Sequence, residues 1–85
     1  MAAEVIVYTK NMCPYCVRAK ALLDKRGIAY EDINLSSDPD RLMALVEETG
    51  MMTLPQVMID GKLLGGYDET AAADRSGQLA ELIGA

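Results

Sequence analysis

The chain has 85 residues, of which 51% are hydrophobic and 25% charged, with a formal net charge of −5, two cysteines and no histidine. A length of this order makes one small domain, residues 1–85, able to bury roughly 60–65% of its unfolded surface without a metal or a disulfide framework. The acidic balance argues against nucleic acid or an anionic membrane surface as the main partner, the apolar runs are too short to cross a bilayer, and the lack of histidine excludes a Cys–His nucleophilic dyad.

The start, Met1-Ala2-Ala3-Glu4, has neither the basic residues nor the apolar stretch of a secretory signal. A cytoplasmic, reducing setting is therefore expected, in which a lone Cys-x-x-Cys is more readily catalytic than structural. Glu4-Val5-Ile6-Val7-Tyr8 is a β-branched run and reads as a buried strand. From Pro14 the period changes: Cys16, Ala19, Leu22 and Leu23 share one helical face, and Gly27 supplies a left-handed stop. Proline is favoured in the first helical turn, which places Cys13 near the N-cap.

Residues 28–34, from Ile28 to Asn34, predict a second strand. Ser36, Ser37 and Asp38 offer N-caps ahead of Pro39, and Leu42, Leu45, Val46 and Thr49 form a helical stripe ending at Gly50. After a loop containing Pro55, the runs Gln56–Ile59 and Lys62–Leu64 flank Asp60-Gly61, a strong hairpin signal. Gly65-Gly66 leads to Asp68, a candidate N-cap for a last helical region through Leu82, broken near Gly77. Strand, helix, strand, helix, strand, strand, helix is the order of an α/β fold. Its first three elements make a right-handed parallel crossover and its hairpin adds two antiparallel strands, giving a four-stranded mixed sheet flanked by helices. The expected sheet core is Val5, Val7, Ile33, Val57 and Ile59.

The two thiols carry the chemistry. A Cys-x-x-Cys pair where a strand gives way to a helix reads as a thioredoxin-like redox motif, because backbone N–H groups without intrahelical partners favour a thiolate there. Cys13, at the helix end, is the expected nucleophile in thiol–disulfide exchange. Cys16, one turn inside on the apolar stripe, is the resolving thiol, since burial disfavours its thiolate. Residues 10–26 hold Lys10, Arg18, Lys20, Lys25 and Arg26 against Asp24, a local +4 that leaves −9 elsewhere. This basic segment reads either as a solvated helix face or as a field that stabilises the thiolate and attracts an anionic thiol substrate.

Pro55 by itself implies only a turn, since about 5–6% of X-Pro bonds are cis. A cis bond just before a strand would turn the Leu54 backbone outward, offering its N–H and C=O to a peptide-shaped substrate beside Cys13. Gly66, Tyr67 and Asp68 read as a hairpin exit with an ordinary cap unless they meet the thiols in space, in which case they suit a ligand carboxylate and ammonium. Tyr15 fits either a substrate groove or an ordinary exposed helix start. Met12, Met51 and Met52 read as packing residues rather than metal ligands.

Together, Tyr8-Thr9-Lys10, Cys13-Pro14-Tyr15-Cys16, Thr53-Leu54-Pro55-Gln56 and Gly65-Gly66-Tyr67-Asp68 resemble a dithiol glutaredoxin, in order and spacing, over nearly the whole chain. The resemblance implies a thioredoxin fold and reduction of protein disulfides and glutathione mixed disulfides. Glutathione is then the co-substrate, with no tightly bound cofactor and no metal site, and an NADPH-dependent glutathione reductase stands upstream. It implies further that Cys13 receives glutathione, that Pro55 is cis, and that the Leu54 backbone pairs with the cysteinyl part of glutathione. Asp68 and the amides near Tyr67 would then hold its γ-glutamyl end, with Thr53 and Gly66 in the same groove and Lys10 and Tyr15 flanking it. Where many relatives carry a basic or amide side chain before the Thr-x-Pro loop, this chain has Met51 and Met52, which predicts weaker glutathione affinity or compensation by Lys10.

Two other readings share the motif. In one, Cys13 and Cys16 chelate a soft ion or, across two chains with glutathione, an iron–sulfur cluster; two cysteines without histidine do not complete a four-ligand site in one chain. In the other, a thioredoxin-type protein or scaffold binds peptides without glutathione. Disulfide-containing or glutathionylated client proteins are the expected macromolecular partners, and a monomer is the default.

Overall fold

Burial alternates along β1 (Val5–Thr9), where Val5, Val7 and Thr9 are buried and Ile6 and Tyr8 half-buried, so one strand supplies both faces of a covered sheet. The computed structural model describes residues 3–84; Met1 and Ala2, which belong to the start read above, and Ala85 lie outside the described residues. The elements that follow are α1 (Pro14–Lys25), β2 (Glu31–Asn34), α2 (Pro39–Thr49), β3 (Gln56–Ile59), β4 (Lys62–Gly65), α3 (Tyr67–Ser76) and α4 (Gln78–Ile83). The sheet order is β2-β1-β3-β4: β1 runs parallel to β2 and antiparallel to β3, and β3 and β4 form the hairpin. This is the expected four-stranded mixed sheet flanked by helices.

One face of the sheet carries the main core, in which Val5, Val7, Val57 and Ile59 meet Leu23 of α1, Ala73 of α3, and Leu79 and Ile83 of α4. Arg26, at the end of α1, donates through Nε and Nη2 to the two carboxylate oxygens of Asp74 on α3, at 2.8 and 2.9 Å. On the opposite face α2 covers Tyr8, and the Arg41 guanidinium lies 5.9 Å from the ring centre. At the hairpin turn Asp60 and Gly61 have φ of 50° and 79°, and Asp60 Oδ1 also accepts from the Glu4 N–H, which fastens the turn to the start of β1.

Three expectations are corrected. The second strand starts at Glu31, not Ile28, because Gly27 at φ 70° turns the chain and the Ile28 N–H bonds back to the Leu23 carbonyl; Ile28 and Tyr30 pack on the core from an irregular segment. Ile33 is only half-buried, because β2 is an edge strand, and Leu35, held by the Thr9 carbonyl, is the residue that is buried there. The last helical region begins with Gly66, not Asp68, at its N-cap. The Glu69 carboxylate accepts from the Gly66 N–H at 2.8 Å, so the helix is capped from its third position backwards. Its break at Gly77, with φ 86°, falls where expected.

Gly65 makes that entry possible. It sits at φ 136°, and a Cβ there would stand 2.6 Å from Cβ and Cγ of Glu69, the side chain that caps the helix. Gly65→Ala should lose about 2 kcal/mol, since both the backbone region and the close approach require glycine. For a domain of this size that corresponds to a fall in Tm of roughly 8–16 °C, measurable by circular dichroism.

Candidate active site

The loop between β1 and α1 presents the thiols. Cys13 is the N-cap of α1, with extended φ −116° and ψ 99°, and Pro14 follows at the first helical position. The Cys13 Sγ accepts a hydrogen bond from the Cys16 N–H at 3.2 Å, so the sulfur takes the place that a serine or aspartate oxygen usually occupies at a helix start. Cys13 and Cys16 are joined in a disulfide. Cys13 is less open than its place at a helix end implies: it is 7% exposed, against 2% for Cys16.

Thr53-Leu54-Pro55 faces this sulfur. The Leu54–Pro55 bond is cis, as the resemblance implied, and the Leu54 carbonyl oxygen stands 3.8 Å from Cys13 Sγ. Tyr15, Thr53, Leu54, Pro55, Gly66, Tyr67 and Asp68, seven of the residues singled out in the sequence, line one groove of about 330 Å³. The rings of Tyr15 and Tyr67 tilt together at 5.9 Å between centres, and Arg18 lies 5.3 Å over Tyr15. Of the paired glycines, Gly66 shares this groove with Leu54, whose carbonyl faces Cys13, while neither cysteine lines it. Lys10 is placed elsewhere. It does not line this groove but shares a second hollow, of about 560 Å³, with Cys13, Cys16, Met12 and Lys20; the residues lining the two hollows do not overlap.

The basic segment is only partly gathered round the thiols: Lys10 and Lys20 share the hollow with Cys13 and Cys16. Lys25 and Arg26 lie at the far end of α1, about 17 Å away at 1.5 Å per residue, and Arg26 is matched by Asp74. Lys20 donates to Asp32 Oδ2 at 2.8 Å, and Thr9 Oγ1 donates to Asp32 Oδ1 at 2.6 Å. That three-residue network ties the end of β1, immediately before the catalytic loop, to the middle of α1. Burial would raise the Asp32 carboxyl, but hydrogen bonds from Lys20 and Thr9, with the Lys20 charge, outweigh it and hold the group below its ordinary 3.8. Lys20 is correspondingly raised above 10.5, chiefly by its hydrogen bond to Asp32.

Sequence reasoning missed several supporting residues. The Asn11 N–H donates to Ser36 Oγ at 2.7 Å, Asn34 Nδ2 donates to Asn11 Oδ1 at 3.0 Å, and the Ser36 N–H donates to Asn34 Oδ1 at 2.9 Å, which anchors the catalytic loop to the segment after β2. Nothing local in the sequence signals this network. Glu69, which lines the groove and caps α3, was legible in principle as an acidic residue three positions after Gly66. Of the two methionines before the loop, Met51 lines the groove and Met52 is 82% exposed.

A disulfide at the leading end of the helix that follows the first strand of such a mixed sheet, beside a cis-proline loop, defines a thiol–disulfide oxidoreductase of the thioredoxin fold. The sequence model of the family described as Glutaredoxin matches residues 5–64. Glutaredoxin-C6 of Oryza sativa subsp. japonica is 41% identical over 96% of this chain and 76% of its own length. Glutaredoxin 3 of Escherichia coli K12 is 37% identical over 95% and 98%. In structure, the buckwheat glutaredoxin–glutathione complex superposes with a TM-score of 0.88 at 38% identity, over 95% of this chain and 76% of that one. The chain belongs to the glutaredoxin family, and it is a glutathione-dependent thiol–disulfide oxidoreductase. That decides against a glutathione-independent scaffold.

The Asp32 network carries a pH signature. A carboxyl held low in the folded state contributes stability that is fully present above its ordinary value near 3.8 and is lost as pH falls through the folded value. The Lys20 contribution is present below 10.5 and lost as pH rises through its higher folded value. Asp32→Asn should therefore be less stable than the parent at neutral pH, with the gap closing as pH falls below 3.8 and again as it rises above 10.5 in thermal melts across pH.

Proposed function

We propose that Cys13 is the nucleophile and Cys16 the resolving thiol of this oxidoreductase, and that glutathione occupies the groove between the Thr53–Pro55 loop and the start of α3. The observation that carries the reading is the Cys16 N–H aimed at Cys13 Sγ from the open end of α1. In the reduced protein the same amide meets a thiolate, and the helix terminus favours its negative charge.

In the monothiol route the Cys13 thiolate attacks the glutathione sulfur of a client mixed disulfide. A Cys13–glutathione bond forms, the client sulfur leaves with the electron pair and takes up a proton, and a second glutathione thiolate attacks the bound glutathione sulfur to release glutathione disulfide. In the dithiol route Cys13 opens a client disulfide, then Cys16 loses its proton and attacks the Cys13 sulfur. That step frees the client thiol and leaves the Cys13–Cys16 disulfide, which two glutathiones reduce.

For binding, the Leu54 backbone pairs with the cysteinyl part of glutathione, while Asp68 and the amides at Tyr67 take the γ-glutamyl end. Thr53, Pro55, Gly66 and Tyr15 shape the walls. Superposition on a glutaredoxin that holds glutathione, and the gathering of these residues in one groove, support this assignment. Lys10, in the other hollow beside Cys13, contributes its positive field to the sulfur and to incoming anionic thiols. The clients are disulfide-containing or glutathionylated proteins, and the protein works as a monomer, with no tightly bound cofactor, in a reducing cytoplasmic setting. A chemistry that consumes reduced glutathione supports that placement.

Turnover of a small glutathione mixed disulfide tests the roles. Cys13→Ser should reduce the rate to background, whereas Cys16→Ser should keep the monothiol reaction; the reverse pattern would exchange the two assignments. Affinity gives a second check. Met51 lines the groove where a charged donor is missing, so Met51→Arg should lower the KM for the mixed disulfide about threefold, a charge-assisted bond discounted for solvent exposure. Met52→Arg, further out, should leave KM unchanged.

A further inference from the structure

Gln56 is a long polar side chain with no exposed surface, and it begins β3 opposite Tyr8 of β1. Its carboxamide does not serve the sheet. Nε2 donates to the Met51 carbonyl at 2.7 Å and to the Thr53 carbonyl at 3.2 Å, while Oε1 is buried with no partner among the described residues. The orientation of the amide follows from these partners, because the flipped group would set its oxygen against two carbonyl oxygens. A buried, unsatisfied acceptor disfavours the folded state, so the side chain is kept at a cost that its two donated bonds to the loop carbonyls offset.

The two carbonyls belong to the loop that walls the groove, since Met51, Thr53, Leu54 and Pro55 all line it and the Leu54 carbonyl faces Cys13. Met51 has another tether, its N–H donating to Thr49 Oγ1 at 3.2 Å. Gln56 thus spans the loop from a rigid strand and sets the position of Leu54 between its two attachments. We propose that Gln56 is a positioning residue for substrate binding: by holding the Met51 and Thr53 carbonyls it fixes the Leu54 backbone at the distance from Cys13 at which a glutathione moiety can pair with it. This deepens the reading of the groove as the glutathione site and rests on it.

The test is Gln56→Met, which keeps length and volume, removes both donors and also removes the orphaned acceptor. The KM for a glutathione mixed disulfide should rise five- to tenfold, with kcat within twofold of the parent and an unchanged pH profile of Cys13 alkylation. An unchanged KM in the folded variant overturns the proposal. Failure of the parent protein itself to turn over glutathione mixed disulfides would instead sink the glutathione reading. A measurement on the unsubstituted chain stands independently of how the variant folds. The Gln56 side-chain amide protons should exchange with solvent far more slowly than those of exposed Gln78, and the addition of glutathione disulfide should shift the Thr53 and Leu54 backbone resonances. Exchange as fast as that of Gln78 would overturn the proposal.

Discussion

A sulfur atom serving as a helix cap is the interaction on which the rest depends. Cys13 Sγ takes the N–H of Cys16, so one atom both closes the open end of α1 and presents the reactive group. Ordinary capping side chains satisfy an amide and do nothing else. A thiolate in that place is stabilised by the amide and by the partial positive charge of the helix end. The cap also constrains the sequence around it: Pro14 suits the first helical position because it has no N–H that needs a partner, and the interior turn that follows places Cys16 on the buried stripe with Ala19 and Leu23.

The scaffold holds that cap in place from two directions. Thr9, Asp32 and Lys20 join the end of β1 to α1, and Asn11, Asn34 and Ser36 join the catalytic loop to the segment after β2. The facing wall is mounted on other elements, since the Thr53–Pro55 loop hangs between α2 and β3, and the Gly66–Asp68 corner between β4 and α3. Three separate stretches of chain therefore converge at the C-terminal end of β1, with the packed sheet as their common base. The free backbone groups of the groove lie on loops, while the sulfur lies on a helix that packs through Leu23 into the main core.

Much of this was legible in the chain alone, for particular reasons. The helix starting at Pro14 and the hairpin at Asp60-Gly61 are set by residues whose backbone preferences leave few alternatives, and both occur where expected. Ile33 and the start of β2 were misjudged because edge strands are held by one neighbour and bury one face poorly, so the apolar residues between Ile28 and Ile33 overstate the strand. The basic segment stayed open between two readings for a different reason. Charge counted along a sequence says nothing of partners, and Asp32 and Asp74, distant in the chain, neutralise Lys20 and Arg26 in space. The supporting amides of Asn11, Asn34 and Gln56 were invisible because each bonds to a loop whose path only the tertiary fold defines.

The groove has an electrostatic asymmetry that bears on how an anionic tripeptide is held. Two carboxylates, Asp68 and Glu69, line it, and among the described residues no lysine or arginine does; the Arg18 guanidinium lies over the outer Tyr15 ring. Glu69 is already engaged by the Gly66 N–H, which leaves Asp68, exposed in the first turn of α3, as the carboxylate open to a ligand ammonium. On the proposed reading, a ligand carboxylate must then be met by backbone amides at the helix start rather than by a side-chain cation, and those amides act over a short range and only in a fixed orientation. Such a site gains less from long-range attraction than one built around an arginine. Its selectivity therefore rests on geometry: the spacing between the Leu54 backbone, the Asp68 carboxylate and the Cys13 sulfur has to be kept, and the hydrogen bonds that hold the loop become as consequential for binding as the residues that touch the ligand.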